Sequence, residues 1–246
     1  MNVFNTKGIV LRTVKYGETS LIVTIFTEAF GIQSYIINGV RTSNKKGSGK
    51  ANLFQPAALL DMIVYHQELR NLQRIKEFKW AYLYQHIFFD VVKNSIALFM
   101  IELLQKSLKQ PEVNADLFHF VEDAFVHLDQ ASPGMVANYP LYFSLHLMHL
   151  HGFRFTDTYS ENKTFLDLQE GLFLTEAPSH PWFLDGEKSF ITALLLRTMQ
   201  PQELEQIRLN KELRRELLQA YQAYFALHIS DFGVMKTLPV LKEVLG

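Results

Sequence analysis

Four positive charges and no negative one fall within ten residues of this chain, at Arg41, Lys45, Lys46 and Lys50. The residues between them are Thr, Ser, Asn and Gly, so the segment has nothing apolar to bury and its cations repel one another. The chemistry open to such a stretch is electrostatic: it can lie along a phosphate backbone and release the counterions held there. Nucleotide hydrolysis is not open to it. Asn44 stands where a phosphate-binding loop needs its first glycine, and Ala51 where that loop needs Ser or Thr after its lysine.

Further cations, Arg12, Lys15, Arg70, Arg74 and Lys76, fall in the same N-terminal third. If 70–78 is an extended strand, Arg70, Arg74 and Lys76 share one face of it, because side chains alternate with period two. Tyr16, Tyr35 and Phe54 lie nearby. A charged groove with flat rings is what a single nucleic-acid strand needs. A ring on a strand can equally pack in a core, and residue type does not decide between the two. The first 80 residues carry eleven Lys and Arg against five Asp and Glu, and the rest carry thirteen against twenty. The net charge of −1 thus hides a basic module on an acidic body, the pattern of a polyanion-binding protein.

Other constellations carry less. His146 and His149 share a helical face, as a pair of metal ligands would, but no carboxylate lies within a turn and His151 falls near the helix end. These histidines read as structural. His66 and Glu68 lack the Pro-Cys-x-x-Cys partner of a zinc deaminase. No nucleophile elbow and no His-Glu-x-x-His occurs. The absence of cysteine excludes disulfides, thiolate catalysis and cysteine-ligated metals. No catalytic residue, metal site, cofactor or small-molecule substrate is expected.

The elements that must position these residues change character near residue 80. Before it, 7–13, 20–27, 32–40, 57–65 and 70–78 read as five short strands, with Gly17 and Gly31 in the connections. Five strands at this spacing predict a small closed barrel. From Trp80 onward, Leu83, Ile87, Val91, Ile96, Met100 and Leu104 recur at helical spacing. Pro111 ends that run, and Asn114 or Asp116 can begin the next helix. A helix over 136–151 stops at Gly152, residues 153–186 read as an irregular or hairpin insertion, and helices resume at 187–198 and 211–229. The expected architecture is α+β: a five-stranded OB-fold barrel over 1–79, then an all-α domain over 80–246 with a small irregular or β insertion at about 152–186. Residues 1–8 are polar, and Asp90, Lys93, Glu102 and Lys106 interrupt the most hydrophobic stretch. Neither a signal peptide nor a membrane span is read here, and the expected location is the cytoplasm.

Within this frame the N-terminal string becomes specific. Thr6-Lys7-Gly8-Ile9-Val10-Leu11-Arg12, Tyr16-Gly17-Glu18-Thr19-Ser20, Ile25-Phe26-Thr27, Gly31 and Gly39-Val40-Arg41 resemble, in order, the N-terminal domain of the RecO family. Leu53-Phe54-Gln55-Pro56 and Leu72-Gln73-Arg74-Ile75-Lys76-Glu77 continue it, and Tyr221, Tyr224, His228 and the stretch from Lys236 to Leu241 look like the family's last helices. The resemblance implies a DNA-repair role without enzymatic activity. It implies binding of single- and double-stranded DNA, annealing of complementary strands, and help in loading the recombinase. It also implies partnership with RecR through the barrel, and with the acidic C-terminal tail of the single-strand-binding protein through the helical domain. The DNA contacts expected are Arg12, Lys15, Arg41, Lys45, Lys46, Lys50, Arg70 and Arg74. Many family members carry four cysteines as a zinc module in the insertion. Here 152–186 holds none, so no zinc is expected, and Phe165, Leu168, Phe173 and Leu174 are expected to hold the hairpin by packing. The competing reading is a protein-binding adaptor whose basic barrel docks an acidic partner.

Overall fold

The computed structural model describes residues 2–40, 51–108 and 112–245. Its first five strands, β1 (Asn2–Tyr16), β2 (Ser20–Thr27), β3 (Gly31–Ile37), β4 (Leu59–His66) and β5 (Gln73–Tyr82), close into a barrel in the order β1-β2-β3-β5-β4. All pairings are antiparallel except β3 with β5. Closure depends on β1, which is long enough to pair twice. Its first half runs against β4 and its second half against β2, and a register shift between Val10 and Arg12 bends it between the two. Gly8 belongs to both ladders, opposite Thr27 and opposite Leu60. A Cβ there would stand 2.4 Å from the Met62 Cε and 2.6 Å from the Ile25 Cγ2, so a side chain could enter only by displacing the barrel interior.

Aliphatic and aromatic residues at every second position fill that interior. Leu21, Val23 and Ile25 from β2, Tyr35 and Ile37 from β3, and Leu60, Met62 and Val64 from β4 are buried. The compact unit built on the barrel runs to Gln85 and also takes in Leu108–Val126. The contributing helix, α2 (Ala115–Gln130), begins at Asn114, whose side chain accepts the Leu117 amide. Phe118 packs on Phe26 at 5.5 Å, and Glu122 accepts from the Lys7 ammonium at 2.7 Å.

The second compact unit comprises His86–Ser107 and His127–Gly246. It holds α1 (Val91–Ser107), a short α3 (Pro133–Val136), α4 (Tyr139–Leu150), α5 (Gly186–Arg197), α6 (Lys211–His228) and α7 (Thr237–Val244). Its core is formed by Ile96, Met100 and Leu104 of α1, Phe143 and Leu147 of α4, and Leu217, Tyr221 and Phe225 of α6. The helical spacing read from Trp80 is corrected here. β5 continues to Tyr82, and helix begins only at Val91. The His86 and Ile87 amides donate to the Asp129 carboxylate at 2.8 and 2.9 Å, and Asp90 caps the helix through the Val92 and Lys93 amides. The Lys93 ammonium in turn donates to the Asp129 carbonyl at 2.7 Å.

The insertion forms a three-stranded antiparallel sheet, β7-β6-β8, from Phe165–Asp167 (β6), Leu172–Leu174 (β7) and Phe183–Leu184 (β8). Leu166, Leu168, Phe173 and Leu184 are buried in it, whereas Phe165 and Leu174 are half-buried. Asp167 closes the β6–β7 turn by accepting the Gln169 and Glu170 amides. Among the described residues, no helix is long and apolar enough to cross a membrane.

Candidate nucleic-acid interface

The outer face of β1, β2 and β3 is built in cross-strand rows. Arg12 stands opposite Thr24, which stands opposite Ser34. In the next row Val14, Ile22 and Ile36 follow one another across three strands and Arg74 completes it from β5. Tyr16 pairs with Ser20, whose hydroxyl donates to Asn38 Oδ1 at 3.1 Å. The neighbouring residues Leu21, Val23, Tyr35 and Ile37 point into the barrel, so these rows face outward. Val14 is 43% exposed and Tyr16 54% exposed. An apolar stripe thus lies between polar rows, with an arginine at each side and one free ring at the edge.

Arg74 and Lys76 line a cleft of about 280 Å³ with Ile36, Asn38 and Gly39. Lys76 sits at the β5 register shift, where an extra residue bends the strand, and lies 3.8 Å from the Glu77 carboxylate. Arg12, Lys15, Arg70 and Arg74 make no ion pair with any described residue. The outer face of β1, β4 and β5 is different: Lys7, Asp61 and Lys79 form one row, with Lys79 at 3.6 Å from Asp61 and Lys7 bound to Glu122. Its charges answer one another.

Not all the expected contacts share the first face. Lys15, three positions from Arg12, projects from the other side of β1 and is exposed at the strand end. Arg70 is not on β5, which begins at Gln73. It stands in the β4–β5 turn, so the shared face expected for Arg70, Arg74 and Lys76 holds only for the last two. The cause is Gln73, a buried residue whose Nε2 donates to the Gln67 and Arg70 carbonyls at 2.7 Å each while its Oε1 accepts the Gln67 amide. Arg41, Lys45, Lys46 and Lys50 lie outside the described residues. The chain on either side of them is anchored next to β1 and β2: the Val40 amide donates to the Thr19 carbonyl at 3.1 Å, and the Ala57 amide to the Val10 carbonyl at 2.8 Å.

Of the three rings considered for stacking, Tyr35 and Phe54 are core. Tyr35 is fully buried with its hydroxyl unpartnered among the described residues, and burial pushes its phenol well above the usual range. Phe54 packs on Phe78 at 4.7 Å. The stripe Val14, Ile22 and Ile36 was missed in sequence, although the period-two alternation of β2 and β3 carried the signal.

The histidines of α4 do not converge. His146 donates to the Thr198 carbonyl at 3.3 Å, His149 contacts Arg154 at 3.2 Å, and His151 stacks on Phe153. Among the described residues no three His, Asp or Glu side chains gather to hold a metal ion.

A closed five-stranded barrel in this strand order, with a basic and partly apolar outer face, defines an OB-class protein carrying a helical body. Residues 1–84 match the family described as Recombination protein O N terminal and residues 89–237 the family described as Recombination protein O C terminal, so the chain belongs to the RecO family. It is 32% identical to the DNA repair protein RecO of Phocaeicola vulgatus, over 98% of both chains. It is 33% identical to the protein of that name from Flavobacterium psychrophilum, again over 98% of each. With the Christiangramia forsetii protein the identity is 31%, over 98% of this chain and 99% of the relative.

Proposed function

We propose that this chain serves DNA repair as a recombination mediator that performs no covalent chemistry. It binds single- and double-stranded DNA through the barrel, anneals complementary strands, and assists recombinase loading together with RecR and the single-strand-binding protein. The relatives it resembles along its whole length are named DNA repair proteins. The observation that carries the reading is the outer face of β1, β2 and β3, where Arg12 and Arg74 flank an apolar stripe and find no carboxylate among the described residues. Unneutralised guanidinium groups on such a face are free to contact phosphates, and Val14, Ile22, Ile36 and Tyr16 offer apolar surface to the bases.

Annealing needs like-charged strands brought together with their repulsion screened, which a cationic surface does without a reactive group. Lys15, Arg70 and the cations Arg41, Lys45, Lys46 and Lys50 extend the track in this reading. DNA is handled by 1–79, and the acidic tail of the single-strand-binding protein docks on 80–246.

Affinity for bare oligonucleotides as a function of salt tests the proposal. In Arg12→Ala/Arg74→Ala the slope of log affinity against log salt should become shallower by about 0.9 per lost duplex contact, or about 0.7 for a single strand. An unchanged affinity and slope would remove this face from the mechanism. A wild-type protein that ignores oligonucleotides but binds acidic peptides would favour the adaptor.

A further inference from the structure

A second feature of the barrel lies at the opposite end of β1. Phe4, Phe30 from the β2–β3 turn, and His66 at the end of β4 form a ring cluster. Phe30 and His66 are stacked 4.0 Å apart and 15° from parallel, and Phe4 meets Phe30 edge-on at 5.3 Å. These rings are not sealed in the core. Phe4 is 38% exposed, and together with His66 it lines a cleft of about 550 Å³ whose other walls are Asn2 and the β4–β5 turn. Leu69, at the tip of that turn, is completely exposed.

The lining carries one cation, Arg70, and one carboxylate, Glu68, so the cleft itself is close to neutral. A phosphate gains little there. A flat, uncharged ring with polar edges gains more: it can lie against Phe4 and His66 and exchange hydrogen bonds with Asn2, Gln67 or Glu68. The cleft is also reachable from the basic face. Arg74, which ends the Val14 row, stands opposite Tyr65, next to His66, and the turn carrying Arg70 lies between β4 and β5. From this juxtaposition we infer that the Phe4–His66 cleft is a nucleobase subsite. It receives one unstacked base of a single strand whose neighbouring phosphates lie on Arg70 and Arg74. The inference rests on the proposed DNA binding and adds a way to tell single strands from duplex, since a paired base cannot enter.

The test compares three ligands on the full chain: a single-stranded oligonucleotide, the same strand with its bases replaced by abasic sites, and a duplex. Phe4→Ala should weaken the ordinary strand roughly 5- to 100-fold, the span expected for one lost base stack. It should leave the abasic strand and the duplex unchanged. Phe4→Leu, which keeps an apolar side chain at this position and removes only the flat face, should do the same, and covers the case in which Phe4→Ala fails to fold. Phe4→Trp should retain affinity, and its fluorescence should be quenched by the ordinary strand and not by the abasic one. Loss of all three ligands in equal measure, or of none, overturns the subsite. So does a Phe4→Trp signal that responds to a protein partner and not to DNA. If the wild type binds no oligonucleotide at all, the proposed function fails with it. If the wild type binds and Phe4→Ala does not discriminate between base and abasic site, only the subsite fails.

Discussion

The Gln73 side chain donates to the Arg70 carbonyl at 2.7 Å, from a position inside the barrel to the outer turn that presents Arg70 to solvent. A buried amide thereby fixes a surface guanidinium three residues away. Replacing it with Leu nearly keeps the volume and removes the three hydrogen bonds that its side chain makes with the turn, leaving only the backbone bond from the Arg70 amide to the Gln67 carbonyl. Gln73→Leu should cost about 1–3 kcal/mol of stability, because the polar groups left behind lose their partners. Urea denaturation measures the loss, and DNA affinity should fall with it at temperatures where the variant is still folded.

Two tyrosines should answer the same substitution with opposite signs. The Tyr35 hydroxyl is buried without a partner among the described residues, whereas that of Tyr221, equally buried, lies 2.9 Å from the Thr192 hydroxyl. Tyr35→Phe should be neutral or stabilising, since it removes a desolvated group that makes no bond. Tyr221→Phe should cost about 1 kcal/mol, since it removes a buried hydrogen bond while the Thr192 hydroxyl keeps its bond to the Lys188 carbonyl at 2.8 Å. Paired urea titrations of the two variants decide the matter.

The second unit contains an acid-sensitive tether. Glu102 on α1 accepts the Lys236 amide at 2.8 Å, the Thr237 amide at 2.7 Å and the Thr237 hydroxyl at 2.6 Å, holding the start of α7. Burial works to raise its pKa, but these hydrogen bonds and the nearby Lys106 outweigh burial and hold the carboxyl below its ordinary 4.5. A depressed folded-state pKa gives stability that is complete above the unfolded value and is lost as pH falls through the folded one. The protection factors of the 237–244 amides should therefore fall below about pH 4.5, and Glu102→Gln should show the lower protection already at neutral pH.

His146 acts nearer neutrality. Burial lowers its pKa, with His149 adding to the effect and the Thr198 carbonyl opposing it. An unfolded chain takes up this proton first, so stability should decline as pH drops below the ordinary 6.5 toward the folded value. His146→Gln, which can still donate to Thr198, should flatten the dependence of the denaturation midpoint on pH as pH falls below 6.5.

What could be read from residue order follows a physical division. Alternation along β2 and β3 is local, so the barrel and its outward stripe are within reach of the sequence. Arg70 lies off β5 because the turn that carries it is held by Gln73, a contact among side-chain and backbone groups that no periodicity reports. Leu83, Ile87 and Val91 are four apart and mimic a helix, but the amides of His86 and Ile87 are taken by Asp129 more than 40 residues later, so helix begins only at Val91. The burial of Tyr35 and the exposure of Tyr16 depend on which side of a strand faces the axis, and a bulge in β1 shifts that phase for Tyr16, whereas Phe54 lies in a single helical turn, Asn52–Phe54, that has no strand alternation to read. The attachment of α2 to the barrel through Phe118 and Glu122 pairs residues about ninety or more positions apart.

That Arg12 and Lys15 leave β1 on opposite sides limits what can touch both at once. A polyanion gripping the two must turn over the lip of the barrel within about three residues' length of strand, roughly 10 Å. Double helix, stiff over about 150 base pairs, resists such a corner, whereas a lone strand folds around it with ease. If both cations contact DNA as proposed, the geometry of this one strand ranks ligands by how sharply they bend before any base is read.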